Sequence, residues 1–268
     1  MEEGAFDDWI GRSIETSDLV TAGPVRRLAA TLDHDGAHWP RDALPPLGHW
    51  LFNLPDVPRA ALGRDGHPAL GTFLPPIAQP RRMWAGGRVR FLAPVAIGAN
   101  LVRRTTILAV ATKQGSAGGM TLLTLRHELI ADGTLAVDEE QDLVYLPVTA
   151  PAPPRAVDRP PPEATRAMTA DEALLFRFSA LTFNSHRIHY DLPYTREVEH
   201  YPALVVHGPL QAMLLADFAG SDGLQLKQFD YRGRAPLYAP GRFTLARAGH
   251  ELWVANADGQ VTMTATVA

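Results

Sequence analysis

The sequence of 268 residues contains no cysteine. That absence excludes disulfides, thiolate nucleophiles and cysteine-ligated metals. No stretch approaches the roughly 18 consecutive apolar residues that a membrane-spanning helix needs. Charge of one sign is also lacking: 25 Lys and Arg stand against 29 Asp and Glu, a formal charge of -4. Neither nucleic acid nor an anionic membrane surface is therefore expected as a partner. The first nine residues, MEEGAFDDW, are acidic where a secretory leader needs a basic and then an apolar segment. A cytoplasmic protein is expected. What is present is a globular composition, 46% hydrophobic, in a chain long enough for one large domain or two small ones.

Proline supplies the organisation. Seven prolines fall between residues 147 and 162, and a residue without a backbone donor can neither continue a helix nor join a sheet interior. Residues 147–164 read as a semi-rigid linker between an N-terminal half, 1–146, and a C-terminal half, 165–268. In the first half, residues 18–32 suggest a short helix capped by Asp18 and interrupted near Gly23-Pro24. A Pro/Gly-rich region follows over 40–82. Period-two patterning then predicts strands at 89–92, 101–111, 120–131 and 135–146, with turns around 115–119 and at Asp132-Gly133. In the second half, the apolar run 173–183 is expected to end in a strand. Residues 207–219 have helix character, with Gly208-Pro209 in the first turn and Leu210, Met213, Leu214 and Phe218 as an apolar stripe. Strands are predicted at 226–231, 242–248, 251–256 and 260–267. Residues 88–101 and 231–245 share an Ala-Pro pair, an apolar step, a Gly and a long strand, which suggests two copies of one unit: a long helix wrapped by an antiparallel sheet.

Two features could carry chemistry. NSHRIHYD, residues 184–191, sets two histidines among Asn, Arg, Tyr and Asp directly after an apolar run, a costly group of side chains to place beside core sequence. A solvated loop is the plain alternative. His207-Gly208-Pro209 opens the apolar helix, and a buried helix N-terminus presents free N–H groups and partial positive charge that can hold an oxyanion. An ordinary helix start is the alternative there.

The strings FSALTFNSHRIHYD (178–191) and YPALVVHGPLQA (201–212) resemble the second half of the MaoC-like group of (R)-specific enoyl-CoA hydratases and 3-hydroxyacyl dehydratases. LPPLGHWLFNLP (44–55) and FLPPIAQPRRMWAGG (73–87) extend the resemblance to a branch similar to itaconyl-CoA and mesaconyl-CoA hydratases. The resemblance implies an α+β double hotdog, with two long central helices each wrapped by a curved antiparallel sheet. It implies a hydro-lyase acting on an acyl-CoA thioester with no cofactor beyond the coenzyme A of the substrate. On this chain His189 takes the place of the catalytic histidine and Gly208 that of the oxyanion amide. Asn184 stands where the group usually has Asp, a departure that matters because an amide is no general base. His189 would act as base or proton shuttle, and Asn184 would orient the water or the imidazole. Charge once supplied by the Asp would come from the substrate or from Asp191. A dicarboxylate acyl group also needs a cation, for which Arg187, Arg81 and Arg82 are candidates, and Tyr190, His207 and Trp84 complete the expected substrate contacts.

Rival readings are a 3-hydroxyacyl-ACP or CoA dehydratase of fatty-acid or polyketide type, and a catalytically silent acyl-CoA binding protein. A metal hydrolase using His186 with His189, or His34 with His38, is a further rival, but neither pair has an adjacent carboxylate in a recognised spacing, so no metal is expected. The first half shows no counterpart of 184–189 and is expected to shape the acyl pocket. Homodimers or higher homo-oligomers are expected through sheet edges.

Overall fold

Alternating apolar side chains need a sheet with one covered face, and the period-two stretches of the first half supply it. The computed structural model describes residues 6–35, 38–115, 118–149 and 156–268. The first half runs β1 (Ser13–Leu19), α1 (Ala22–Thr31), β2 (Arg81–Phe91), β3 (Asn100–Gly115), β4 (Gly118–Ala131) and β5 (Thr134–Leu146), with short 3-10 turns at Asp7–Trp9, Gly48–Leu51 and Arg59–Ala61. The second half runs β6 (Ala164–Ala170), α2 (Glu172–Leu181), α3 (Leu192–Glu197), β7 (Leu204–Val205), α4 (Gly208–Ser221), β8 (Gln228–Gly233), β9 (Tyr238–Ala239), β10 (Gly241–Ala248), β11 (Glu251–Asn256) and β12 (Val261–Val267). At the 131–134 hairpin Asp132 and Gly133 both take positive φ, 45° and 83°, as a two-residue primed turn requires. The predicted turn at 115–119 falls partly outside the described residues, as does the stretch 150–155 of the predicted linker.

The strands form one antiparallel sheet of ten in the order β1-β3-β4-β5-β2-β8-β12-β11-β10-β6. Read from either edge inward, the order is the same: edge strand, then the three-strand meander, then a central strand. The centre is the β2–β8 seam, where Gly87 pairs with Tyr231 and Arg88 with Asp230. These are the positions at which the internal sequence similarity begins. The repeat in sequence is thus a two-fold relation in space, with α1 following β1 as α2 follows β6.

Helix α4 is buried all round from residue 210 to 219, with Gln211 and Asp217 its polar side chains there, because it packs against β2 and β8 at the seam and against β10, β11 and β12 of its own half. Leu210, Met213, Leu214, Leu215 and Phe218 lie in the main core, each contributing about 1.5–3 kcal/mol on burial. The first half differs from expectation here. Among the described residues it has no helix of comparable length, only α1 and 3-10 turns, because nine prolines between residues 40 and 80 remove donors and clash with any continuing helical turn.

Two local expectations are corrected. Asp18 does not cap α1: it lies in β1, where its carboxylate accepts from the Leu19 N–H at 2.8 Å and the Asn53 N–H at 3.0 Å. The helix begins after Thr21 and runs through Gly23-Pro24 without interruption, since proline in a first turn forfeits no helical bond. The run 173–183 is not a strand. It is α2, capped by Asp171, whose side chain accepts from the Leu174 N–H at 2.7 Å, with Leu174, Leu175, Phe178 and Leu181 facing the core at helical spacing.

Candidate active site

A cleft of about 2740 Å³ runs between the halves and is lined by residues of both. Drug-sized pockets hold a few hundred to about 1,000 Å³, so this cleft suits an elongated ligand.

The 184–191 segment leaves α2, turns through a 3-10 turn at Arg187–His189 and enters α3. Asn184 starts the turn by accepting the His186 N–H on Oδ1 at 2.9 Å. Its carboxamide therefore fixes the loop backbone, and no hydrogen bond joins it to the His189 imidazole. His189 is 6% exposed. Its Nδ1 lies 2.7 Å from the Val205 carbonyl oxygen, which can only accept, so Nδ1 carries the proton and Nε2 keeps its lone pair. Burial pulls its pKa down to about 4, against the Val205 bond, and the nearby His67 adds to the depression. His189 is consequently neutral at working pH and able to accept a proton.

Behind it, His207 stacks on the His189 ring with centroids 3.6 Å apart and planes at 19°. The ring of His207 is fully buried, with Nε2 2.8 Å from Ser179 Oγ and Nδ1 without a partner. It does not line the cleft, so the expectation of a substrate contact is corrected: it backs His189. Gly208 does line the cleft at the first turn of α4. With Pro209 lacking a donor, the Gly208 N–H is the exposed end of the helix dipole. A Cβ at Gly208 would stand 2.9 Å from Trp84 Cε3, so only glycine brings this backbone against the indole. Trp84 itself stacks on Tyr231 at 4.5 Å and meets Trp50 edge-on at 5.1 Å, forming an aromatic wall of the cleft.

The arginines divide. Arg81 is buried and bound to Glu199, with Nε on the Glu199 carboxylate at 2.9 Å and Nη1 on the Thr149 carbonyl at 2.7 Å. Arg187 donates to Asp191 at 2.7 Å and 3.0 Å and lies over the Tyr194 ring. Neither guanidinium is left for a ligand, which corrects both assignments; four-residue spacing in a helical segment brought Arg187 to Asp191. Asp191 in turn caps α3 through the Tyr194 N–H and has no charge to lend to His189. Tyr190 is half exposed at the mouth of the cleft, its hydroxyl donating to the Ser185 carbonyl at 3.2 Å. Arg82 differs: it lines the cleft and makes no hydrogen bond or ion pair among the described residues, while burial depresses the pKa values of His67 and His186 and the Arg82 charge adds to both.

Residues that sequence reasoning missed come from the turn at 63–67. Asp65 Oδ2 holds His67 Nδ1 at 2.9 Å and Asp65 Oδ1 accepts the His67 N–H at 3.0 Å. The His67 ring stands 4.1 Å from that of His186. Ligand atoms of Asp65, His67 and His186 lie within 4.8 Å of one another, but Asp65 and His67 are bonded directly to each other and Arg82 adds positive charge, a poor setting for a cation. A second such group, His34, His38 and Asp217, lies away from the cleft. There the Asp217 carboxylate accepts from His34 Nε2 at 3.0 Å, His38 Nε2 at 2.7 Å and Trp39 Nε1 at 3.0 Å and pairs with Arg166 at 3.2 Å. His34 with His38, and His186 without His189, thus have a carboxylate neighbour that spacing in the sequence did not reveal.

A helix N-terminus and a buried neutral imidazole on one cleft, in a ten-stranded sheet of two related halves, are the arrangement of a double-hotdog protein. The chain belongs to the hydroxyacyl-thioester dehydratase type 2 family, which residues 47–239 match. It is 42% identical to the mesaconyl-C(4)-CoA hydratase of Chloroflexus aurantiacus over 100% of this chain and 99% of that protein. In structure it is similar to HtdX of Mycobacterium tuberculosis, with a TM-score of 0.69 at 18% identity, covering 96% of this chain and 99% of that one. A further M. tuberculosis protein described as a double hotdog fold superposes with a TM-score of 0.60 at 16% identity, over 98% and 96% of the two chains.

Proposed function

We propose that this protein adds water across, or removes it to form, the α,β double bond of an enoyl-CoA thioester whose acyl group carries a second carboxylate, as mesaconyl-CoA does. The observation that carries the reading is the meeting in one cleft of His189, with Nε2 unprotonated, and the free first-turn N–H of α4. Hydration needs an acceptor for a water O–H and a donor for the thioester oxygen as it gains enolate charge. His189 Nε2 accepts the O–H and aims the oxygen at Cβ. Gly208 N–H holds the thioester oxygen, a contribution of about 3 kcal/mol in comparable oxyanion sites. Arg82, which lines the cleft and makes no hydrogen bond or ion pair among the described residues, takes the distal carboxylate. Exposed Arg59, Arg64, Lys113 and Arg232 on the cleft lining suit the phosphates of coenzyme A. A homodimer or higher homo-oligomer fits outer strands β1 and β6, which each have one neighbour.

The test is a panel of enoyl-CoA thioesters with and without a second carboxylate, followed by loss of the enoyl thioester absorbance. Wild type is expected to turn over the carboxylated members. His189→Asn should lower kcat by about 100-fold or more, and Arg82→Met should raise KM at least about tenfold for carboxylated substrates only, a lost ion-paired contact of the order of 1.5–3 kcal/mol. No hydration of any member would refute the reading.

A further inference from the structure

We propose that His67, held by Asp65, is a second catalytic acid–base residue, supplied to the site by the N-terminal half. The inference rests on the hydratase reading above.

The turn that carries the dyad is fastened to the motif loop from several sides. The Arg187 N–H donates to the Asp65 carbonyl at 2.9 Å, Ser185 Oγ to the Gly66 carbonyl at 2.6 Å, and Arg187 Nη1 to the Arg64 carbonyl at 3.2 Å. Within the turn, the Gly63 N–H bonds the His67 carbonyl at 2.7 Å and the Gly66 N–H the Gly63 carbonyl at 3.0 Å. Gly66 has φ of 92°, and a Cβ there would fall 1.9 Å from the Ser185 carbonyl oxygen. Only glycine lets the two backbones close to this distance. This junction, made across the two halves, places His67 on the cleft lining, with Asp65 holding its Nδ1, beside His186, whose ring is 5.3 Å from that of His189.

Chemistry assigns the roles. A neutral imidazole whose Nδ1–H is engaged by a carboxylate offers its Nε2 lone pair, and the carboxylate stabilises the imidazolium once a proton arrives. His189 faces only a neutral carbonyl and lacks that support. One water O–H is therefore directed to His189 Nε2 for orientation and the other to His67 Nε2. As the oxygen bonds to Cβ, its proton passes to His67, and the π electrons move into the enolate held at Gly208. The His67 proton then returns to Cα, the enolate collapses, and His67 is neutral again. Both hydrogens of the water end in the product and no further reactant is consumed. Asn184, which stays on the His186 N–H, has no proton to handle.

The experiment compares wild type, His67→Gln, His67→Ala and Asp65→Asn in the hydration assay with a carboxylated enoyl-CoA, alongside thermal melts. His67→Gln keeps a donor for Asp65 and is expected to melt near wild type with kcat down by at least about 100-fold and KM within about threefold. Asp65→Asn, a positioning change, should lower kcat at least tenfold at unchanged KM, and added imidazole should restore part of the activity of His67→Ala. Activity of His67→Gln within fivefold of wild type overturns the proposal. So does a loss of activity that follows only a lowered melting temperature without imidazole rescue, or a loss in chelator that added zinc reverses. A wild type inactive on every thioester takes down the hydratase reading with it, whereas an active wild type with an active His67→Gln removes this inference alone.

Discussion

Gly208 concentrates two demands on one residue: its N–H must face the cleft and its α-carbon must touch Trp84. The indole cannot give way, being stacked on Tyr231 on one side and met by Trp50 on another. Gly208→Ala is expected to lower kcat by about tenfold or more, because the first turn of α4 moves off the thioester oxygen. Stability should change by only about 1 kcal/mol, as overpacking and the gain in helix propensity oppose each other; hydration kinetics beside a thermal melt separate the two. The resemblance carried by 178–191 and 201–212 singled out His189 and Gly208, and both line the cleft. His67 was invisible for a physical reason: a single histidine between Gly66 and Pro68 acquires its role only from a loop over one hundred residues away. The Asp-Gly-His spacing of the turn was the one available signal. Arg187 was misread because its nearness in sequence to His189 concealed a four-residue pairing with Asp191.

Elements show the same division. Strands β3, β4, β5, β10, β11 and β12 were legible, because a meander with one covered face writes its period into the sequence. Helix α2 was not: its apolar side chains crowd a ten-residue span, and length could not distinguish strand from helix until Asp171 was recognised as a cap. Helix α4 holds the clearest energetic claim at this scale. Asp217, buried on a largely apolar helix, is the shared acceptor for His34, His38, Trp39 and Arg166, tying the segment after α1 to the central helix. Asp217→Asn leaves Arg166 without its counter-charge and is expected to cost about 3 kcal/mol, read as a lower urea midpoint. Hydration by the folded variant should persist, as no member of this group lines the cleft.

For the whole molecule, three buried histidines make stability depend on pH. His186, His189 and His207 all have pKa values depressed, chiefly by burial. In the unfolded chain they take up protons near pH 6.5, and in the folded chain only at lower pH, about 4 for His189. Between those values the unfolded state binds more protons, so stability rises with pH there and is fully present above 6.5. Acidification from 6.5 to 4 should remove about 3 kcal/mol through His189 alone. Urea midpoints measured across this window should fall, and His207→Gln should flatten the slope. The fold class was legible as a duplication because the Ala-Pro repeat survives at the β2–β8 seam. What the repeat could not show is how far the halves have parted: prolines erased one long helix, while the turn at 63–67 took on chemistry.

The pseudo-symmetry of the sheet carries a consequence for the loops that follow α1 and α2. His34 and His38 follow α1 as 184–191 follows α2, at the related position of the two-fold repeat. These two histidines, however, are turned inward onto Asp217, an anion provided by the chain itself. The two related loops thus answer to different surroundings: one turns its histidines onto a carboxylate of the chain's own core, while the other keeps His186 and His189 on the cleft.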